Sequence, residues 1–201
     1  MYELVCAEKK HLPLLIELVS TTGIYKRGIE GNKLGLSFQE FMLRFVLTPS
    51  LLMHAYVLID RSSQDEAVGC LIGGRTTDLD RDSSDWTLHL HDDVYDGIVT
   101  PLSALKAPGQ FLIHSLAIRD DWQGRGLGRK LLLEAVSIAE RAGCDNDLSL
   151  VVWANDVWAI ALYNSAGFVV TDVARPSLVG FPPLLLMQRN NDYLSFEEIS
   201  T

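Results

Sequence analysis

The chain has 201 residues, of which 48% are hydrophobic, and it carries 17 lysines and arginines against 26 aspartates and glutamates, a formal net charge of −9. This length and composition suffice for one domain with a full core that needs neither disulfides nor metals to stabilise it. The negative charge argues against a nucleic-acid-binding protein, which needs a basic face, and against attachment to an anionic membrane.

Hydrophobic periodicity and turn residues divide the first part of the chain into alternating strands and helices. The predicted elements are a strand at 2–7, a helix at 11–20, a loop at 23–35 marked by glycines 23, 28, 31 and 35, a helix from residue 38, and strands at 51–59 and 67–73. The first helix presents Leu15, Leu18 and Val19 on one face. The second opens on Ser37 and Glu40, which have the spacing of a capping box.

Residues 75–110 differ in composition from the rest of the chain. They are polar, contain two prolines, and hold the aspartates Asp78, Asp80, Asp82, Asp85, Asp92, Asp93 and Asp96. A structureless stretch of this length is unusual inside a compact domain, so we predict an insertion with some structure of its own. It is either a solvated flap or the lining of a binding site that attracts a cationic ligand.

The second half of the chain continues the alternation of strands and helices. The predicted elements are a strand at 111–118, a helix at 126–142 ended by Gly143, a strand at 148–153, a helix from its cap Asp156 to residue 166, strands at 168–174 and 184–188, and a tail at 190–201. The long helix has a predicted buried stripe of Leu131, Leu132, Ala135, Val136 and Ala139. Because helices and strands alternate, the fold class is α/β.

Several further patterns exclude classes of protein. The longest apolar runs are far shorter than the roughly 20 residues that span a bilayer, and the first residues do not resemble a secretory signal.

Cys6, Cys70 and Cys144 are widely spaced, which predicts reduced thiols in a cytoplasmic protein and neither disulfides nor a zinc site. The HxHDD run at 89–93 contains metal-ligand residue types, but a solvated loop face is favoured and no metal site is predicted.

The loop before the long helix carries the most informative pattern. A strand runs into Gln123-Gly124-Arg125-Gly126-Leu127-Gly128, and an amphipathic helix follows directly. Glycines permit a tight turn with accessible backbone N–H groups, and the amino-terminal end of the helix adds unpaired amides and a positive dipole end. With Arg125, Arg129 and Lys130 beside it, the loop is predicted to bind a phosphate or pyrophosphate.

Two phosphate motifs of other protein classes do not fit this loop. A nucleotide-triphosphate P-loop requires GxxxxGK followed by Ser or Thr, whereas Leu131 follows Lys130 here. A dinucleotide fingerprint requires GxGxxG, and Arg129 occupies its last position. A plain tight turn without a ligand is the structural alternative.

Two motifs in combination resemble those of a known family. Gln123-x-x-Gly126-x-Gly128 follows a strand, and Leu162-Tyr163-x-x-x-Gly167-Phe168 comes some 35 residues later. This pair is similar to the acetyl-CoA signature of the GNAT superfamily of N-acetyltransferases, and the order of elements resembles that fold outside residues 75–110 and the tail. The resemblance implies a mixed, largely antiparallel central sheet flanked by helices, with acetyl-CoA as co-substrate.

The resemblance also implies which residues bind the co-substrate. They are Leu116, Ala117, Ile118, Gln123, Gly124, Arg125, Gly126, Leu127, Gly128, Arg129, Asn155 and Asp156. The strand residues would offer backbone groups to the pantetheine arm, and the loop amides would bind the pyrophosphate. Asp156 stands where the family usually has an asparagine; aspartate caps a helix equally well, and Asn155 is the candidate to take over the contact with CoA.

Two catalytic residues are implied as well. Tyr163 matches the tyrosine that commonly protonates the departing thiolate, which a phenol with a pKa near 10 can do at close range. His114, within HSLAI, resembles one of the proton-relaying histidines of aralkylamine N-acetyltransferases, although Leu112 stands where that pattern has a second histidine. The structural alternatives are a tyrosine packed under the sheet and a hydrogen-bonded histidine in a half-buried strand.

We therefore expect an N-acetyltransferase that acts on a primary amine by direct attack in a ternary complex, since no cysteine accompanies the cofactor motifs. The acceptor is expected to be a small cationic or arylalkyl amine, in a pocket framed by the 23–35 loop and Trp86. The alternatives are acetylation of a protein N-terminus or lysine, a non-catalytic acyl-CoA-binding regulatory module, and a Rossmann-type oxidoreductase. The resemblance leaves a homodimer through the C-terminal strands open.

Overall fold

A computed structural model shows one central sheet and describes residues 1–21, 29, 32–79, 89–107, 109–144 and 147–190. The predictions made for glycines 23, 28 and 31, for Asp80, Asp82, Asp85 and Trp86, and for the tail beyond residue 190 lie outside the described residues. The strands are β1 (Tyr2–Cys6), β2 (Ala55–Asp60), β3 (Glu66–Arg75), β4 (Phe111–Ile118), β5 (Leu148–Trp153), β6 (Phe168–Ala174) and β7 (Leu184–Arg189). They form one seven-stranded sheet in the order β1-β2-β3-β4-β5-β7-β6.

Helices flank this sheet. They are α1 (Leu12–Thr21), α2 (Phe38–Phe41), which continues as π-helix through Met42–Val46, α3 (Pro49–Met53), α4 (Thr76–Leu79), α5 (Asp92–Val94), which continues as π-helix through Tyr95–Val99 into α6 (Thr100–Ala104), α7 (Leu127–Arg141) and α8 (Val157–Asn164). The predicted α/β class is confirmed. No helix in these described ranges is long and apolar enough to cross a membrane.

The core lies on the two faces of the sheet. One buried cluster packs α1, α2 and α3 on residues such as Val57, Ile72 and Leu112. The other packs α7 on residues such as Leu71 and Ile113, and all five predicted stripe residues of α7 are buried in it. The 3.6-residue period of the hydrophobic residues therefore predicted the buried face of this helix correctly.

One predicted strand begins in the wrong place. The sequence predicts a strand from residue 51, but Pro49–Met53 is the helix α3, and β2 begins at Ala55. The Thr48 hydroxyl accepts a hydrogen bond from the Leu51 N–H at 3.3 Å, and proline suits the first turn of a helix. A short apolar run fits a buried strand or a short helix equally, and here the cap decides for the helix.

Within the described part of residues 75–110, α6 and the residues after it pack against the C-terminal half of the sheet. Leu105, just after α6, is buried in a third cluster with Leu184 and Leu186 of β7. Leu102 packs against the same cluster, as does Trp153 of β5. The insertion thus covers part of this sheet face and forms one wall of the space beside β5.

The sheet opens between its two central strands. Every neighbouring pair is antiparallel except β4 and β5, which are parallel. Their register covers only three residues of each strand, from Phe111 opposite Leu148 to Ile113 opposite Leu150. Beyond that point β4 continues through residues 114–118 without pairing to β5. One edge of β4 is therefore left for other partners.

Candidate active site

A cavity of about 410 Å³ lies where β4 and β5 diverge. Its volume is within the range of small-ligand pockets, roughly 300–1,000 Å³. Both predicted catalytic residues line it, as do three predicted cofactor-binding residues: His114, Tyr163, Leu116, Asn155 and Asp156. The divergence of the strands thus brings together side chains that are up to 49 positions apart in the sequence.

A second cavity of about 450 Å³ adjoins the first. Most of the predicted cofactor-binding residues line it: Leu116, Ala117, Ile118, Gln123, Gly124, Gly126, Leu127, Gly128 and Asp156. Thr21, Leu116, Asp156 and Ala159 line both cavities. The two cavities therefore form one groove along the unpaired edge of β4, with the glycine loop at one end and Tyr163 and His114 at the other.

The conformation of the glycine loop explains its composition. Gly124 and Gly126 have φ angles of +74° and +75°, in the left-handed region that favours glycine. Gly126 directly precedes the 15-residue helix α7, so the unpaired N–H groups of its first turn lie at the loop. At Gly128 a Cβ would lie 3.3 Å from Cδ2 of Leu162, which indicates close packing of α7 on α8. The loop thus has the features that anion-binding sites at helix amino termini share.

The side chains of the loop hold its shape. The Gln123 amide donates to the carbonyl oxygen of Ile118 at 3.1 Å and to Asp120 Oδ1 at 3.0 Å. Arg125 lies over the Trp122 ring, 4.4 Å from its centroid, and donates to a backbone carbonyl oxygen. These contacts connect the loop to the end of β4 and hold its conformation.

Arg125 and Arg129 are predicted cofactor-binding residues that the structure does not place in the lining of the groove. Arg129 donates to the carbonyl oxygen and the hydroxyl of Ser165 at 3.2 and 3.1 Å, which ties the start of α7 to the end of α8. With Lys130 it lines a separate cavity of about 390 Å³ along α7. In this conformation the two arginines support the loop and add positive charge near it.

Tyr163 keeps its phenolic proton at neutral pH. Burial, and secondarily the charge of Asp156, raises the pKa of this phenol to about 12. The ring also packs against Phe168, with 6.2 Å between the ring centroids. Tyr163 thus packs in the core and lines the first cavity at the same time, with its hydroxyl protonated.

His114 is the extra residue of a β-bulge. Ile72 lies opposite Ser115 and Gly73 opposite Ile113, so the register of β3 and β4 passes over His114. Its Nδ1 lies 3.0 Å from the Ser115 hydroxyl. Burial, and secondarily the charge of Lys106, lowers the pKa of His114 to about 3. The imidazole is therefore neutral at pH 7 and accepts a proton only weakly.

Several residues of the groove have no motif in the sequence, and Lys106, Trp153 and Trp158 are the most prominent of them. Lys106 and Trp153 line the first cavity, and Trp158, with 85% of its surface exposed, lines the second. Lys106 is the only cation between the acidic run at 92–96 and β4, and this contrast in charge was the available signal. The tryptophans are indistinguishable in sequence from core residues.

The HxHDD run forms no metal site in the part of the chain that the structure describes. Within that part, no group of three or more His, Cys, Asp or Glu side chains is placed to hold a metal ion. The His89 ring packs on Phe45, with 4.6 Å between the centroids, and the Asp92 carboxylate accepts a hydrogen bond from Lys33 at 2.6 Å.

Comparison with known proteins decides the family. Residues 37–168 match the family model described as the acetyltransferase (GNAT) family, well over half of the chain. The chain belongs to the GNAT acetyltransferase family. It is accordingly an acetyl-CoA-dependent acyltransferase, and its groove fits this co-substrate, because an anion-binding loop and an unpaired strand edge follow one another along it.

Solved structures of other GNAT proteins share the fold. The arylalkylamine N-acetyltransferase-like 5b of mosquito is 15% identical, with a TM-score of 0.63 over 93% of this chain and 98% of that chain. An N-acetyltransferase from Staphylococcus aureus Mu50 is 17% identical, with a TM-score of 0.63 over 92% and 98%. A GNAT acetyltransferase from Elizabethkingia anophelis, solved with acetyl-CoA bound, is 13% identical, with a TM-score of 0.56 over 94% and 97%. No curated protein matches the sequence.

Proposed function

We propose that this GNAT enzyme transfers the acetyl group of acetyl-CoA to a small primary amine, by direct attack while both substrates are bound. The observation that carries the proposal is the groove itself. Its loop end suits a pyrophosphate, and its far end is a pocket lined by a neutral imidazole and a protonated phenol. Acetyl-CoA supplies an activated acyl group with a thiolate leaving group.

Different residues of the groove bind different parts of acetyl-CoA. The amides of the Gly124–Gly128 loop and of the first turn of α7 hold the phosphates. The backbone groups of Leu116 and Ile118 lie on the strand whose edge β5 leaves unpaired, and they hydrogen-bond the pantetheine arm. Trp158 and Asp156 complete the wall. Binding along this strand orients the thioester toward the pocket.

The transfer itself requires one proton to leave the amine and one to reach the sulfur. The amine nitrogen forms a bond to the acetyl carbon, and the carbon–sulfur bond breaks. His114 accepts the amine proton in a hydrogen bond and passes it to water, since a group with a pKa of about 3 does not retain it. Tyr163 donates its proton to the departing sulfur.

Direct attack is favoured because no thiol is in place to carry the acetyl group. Among the described residues that line the two cavities there is no cysteine. Cys70 is fully buried, and burial raises the pKa of its thiol to about 12. A thiol that remains protonated is a poor nucleophile.

The lining of the pocket favours an arylalkyl acceptor over a polyamine. The apolar residues Leu102, Leu112, Ile113 and Trp153 surround the cavity. Of the described aspartates of the insertion, none lines it, so the acidic mouth expected for a cationic acceptor has no support in this part of the chain. An apolar wall instead contributes binding energy to an aromatic or aliphatic side chain.

The test is release of free thiol from acetyl-CoA against a panel of arylalkylamines, polyamines, aminoglycosides and N-terminal peptides, with the acetylated product identified by mass. We expect arylalkylamines to give the highest kcat/KM. Preference for the peptides would indicate a protein acetyltransferase. Thermal stabilisation by CoA without turnover of any amine would indicate a regulatory module, and stabilisation by NAD instead of CoA would contradict the assignment of the groove.

A further inference from the structure

Arg119 lies directly after β4, shortly before the glycine loop. Its N–H donates to the carbonyl oxygen of Val68 in β3 at 3.0 Å, and its own carbonyl oxygen accepts a hydrogen bond from the Trp122 N–H at 2.9 Å. The residue thus marks the point where the sheet ends and the short 3-10 helix Asp120–Trp122 begins. This short helix leads directly into the loop.

The Arg119 guanidinium connects the 3-10 helix to β3. Its Nη1 donates to Oε1 of Glu66 in β3, and its Nη2 donates to Asp121 Oδ2 at 2.9 Å. A guanidinium is planar and holds its N–H groups in fixed directions, so contacts to two carboxylates fix its orientation. The side chain is also only 27% accessible, which reduces the screening that weakens most surface ion pairs.

Asp121 connects this ion-pair network to the glycine loop. Its carboxylate accepts the hydrogen bond from Arg119, and its backbone carbonyl oxygen accepts one from Arg125 of the loop at 3.0 Å. Arg125 also lies over the ring of Trp122, which is buried in the cluster under α7. A continuous set of contacts therefore runs from Glu66 to the loop.

We propose that Arg119 is a positioning residue for the co-substrate, which holds the glycine loop in the conformation that binds the pyrophosphate of acetyl-CoA. The inference rests on the proposed function, because that function assigns the phosphates to this loop. Arg119 itself lines neither cavity of the groove, so it acts through the loop. A loop that is already in its bound conformation loses less conformational entropy when the ligand binds, and this raises the affinity.

Substitution of Arg119 should weaken the binding of CoA. Arg119→Met keeps the apolar stem and removes both ion pairs, and the Kd for CoA should rise roughly 3- to 10-fold, since each such pair contributes modestly. Arg119→Lys keeps a charge without the planar fork, so its Kd should lie between those of the wild type and Arg119→Met. Calorimetry with CoA measures these values and requires no acceptor. An unchanged Kd in Arg119→Met would overturn the inference.

Glu66 tests whether the effect passes through the ion pair. It lines neither cavity of the groove, so Glu66→Gln should raise the Kd for CoA only by releasing Arg119. The double variant, Glu66→Gln with Arg119→Met, should therefore bind CoA no more weakly than Arg119→Met alone. Losses of affinity that add up in the double variant would show two independent effects and would contradict the proposed connection.

Arg61 offers a matched control. It also contacts two carboxylates, Glu3 at 2.7 Å and Asp65 at 2.9 Å, with a side chain that is 38% accessible. These contacts join β1 to the connection between β2 and β3 and include no residue of the glycine loop. Arg61→Met should lower the midpoint of urea denaturation about as much as Arg119→Met and leave the Kd for CoA unchanged. Equal weakening of CoA binding by the two variants would indicate a general loss of stability instead.

A second acyl donor isolates the phosphates. S-acetylpantetheine has the same thioester as acetyl-CoA but no pyrophosphate. With an amine acceptor, Arg119→Met should lower kcat/KM for acetyl-CoA roughly 3- to 10-fold, through KM, and leave kcat/KM for S-acetylpantetheine unchanged. Equal losses with both donors would contradict the inference.

The wild-type enzyme distinguishes a failure of this inference from a failure of the proposed function. If the wild type does not prefer acetyl-CoA to S-acetylpantetheine, the assignment of the phosphates to the loop is wrong, and the proposed function loses its support there. If the wild type has this preference and Arg119→Met keeps all of it, only the role of Arg119 is contradicted.

Discussion

Tyr163 and His114 show how burial sets the protonation state of a single residue. Burial disfavours the charged form of each side chain, so it raises the pKa of the phenol and lowers that of the imidazole. Both groups are consequently neutral at pH 7. These are the two states that the proposed roles require, Tyr163 as the proton donor and His114 as the proton acceptor.

Removal of the Tyr163 hydroxyl tests its assignment as the general acid. Tyr163→Phe keeps the ring that packs on Phe168 and removes the proton, so kcat should fall roughly 10- to 100-fold or more. The affinity for CoA, measured by calorimetry, should change little. An unchanged kcat with the best acceptor would remove the assignment.

The lowered pKa of His114 also makes the stability of the enzyme depend on pH. Between the ordinary pKa near 6.5 and the folded value of about 3, the unfolded chain binds a proton that the folded protein does not. Stability is therefore lost as the pH falls through this window. His114→Gln lacks the group, and its Tm should drop less than that of the wild type between pH 7 and pH 5. Equal drops in differential scanning calorimetry would contradict the burial of a neutral imidazole.

At the scale of one element, the two ends of α7 have a backbone conformation that is strained for residues other than glycine. One of these ends is the loop proposed to bind phosphates. Gly126, before α7, and Gly143, after it, both have positive φ angles, of +75° and +68°. A Cβ at either position meets nothing within 4 Å, so only the backbone conformation resists a side chain there. The two glycines are therefore a matched pair at the two ends of one helix.

Alanine substitutions at these two positions distinguish an effect on folding stability from an effect on CoA binding. Gly126→Ala and Gly143→Ala should each lower the free energy of unfolding by about 1–2 kcal/mol, the cost of a left-handed residue with a Cβ. Only Gly126→Ala should weaken CoA binding, because the loop relieves the strain by turning its amides away from the phosphates. Urea denaturation and CoA calorimetry on both variants provide the comparison. Equal CoA affinities would argue against this loop as the phosphate site.

At the scale of the whole molecule, the pocket is assembled from three stretches that are distant in sequence: Thr21 at the end of α1, residues 102–116 and residues 150–163. Strands β4 and β5 separate beyond their three paired residues, and the insertion closes the space from one side. The insertion is also hydrogen-bonded to the connection between β6 and β7. The Ser177 N–H of this connection donates to the carbonyl oxygen of Gly97 in the insertion at 3.1 Å. The insertion is therefore a wall of the acceptor pocket.

Leu105 links the stability of the fold to the pocket. Leu105→Ala removes a buried side chain from the cluster with Leu184 and Leu186, and it should lower the free energy of unfolding by roughly 2–5 kcal/mol. KM for the acceptor should rise as well, since Lys106 follows directly. Leu43→Ala, at a position 44% exposed, should change stability by less than about 0.5 kcal/mol. A small effect of Leu105→Ala in urea denaturation would show that the insertion is not anchored there.

Features decided by neighbouring residues could be predicted from the sequence. The buried stripe of α7 follows from a period of 3.6 residues, and Asp156 caps α8 through the Ala159 N–H as its position indicated. The glycines of the loop are required by local φ angles. The error at residues 51–54 has the same origin, because an apolar stretch of three residues, Leu51 to Met53, contains too little periodicity to distinguish a helix from a strand.

The sequence by itself determined the class of the fold, the phosphate loop and the two candidate catalytic side chains, since each depends on a local pattern or on spacing within a motif. Only the tertiary structure decided that β4 and β5 diverge, that His114 occupies a bulge, and that Lys106 joins it in the acceptor pocket. These features depend on strand register and on the packing of the insertion across the sheet. No local interaction along the chain encodes them, which is why Lys106 and the rest of the pocket wall had no motif, whereas the glycine loop did.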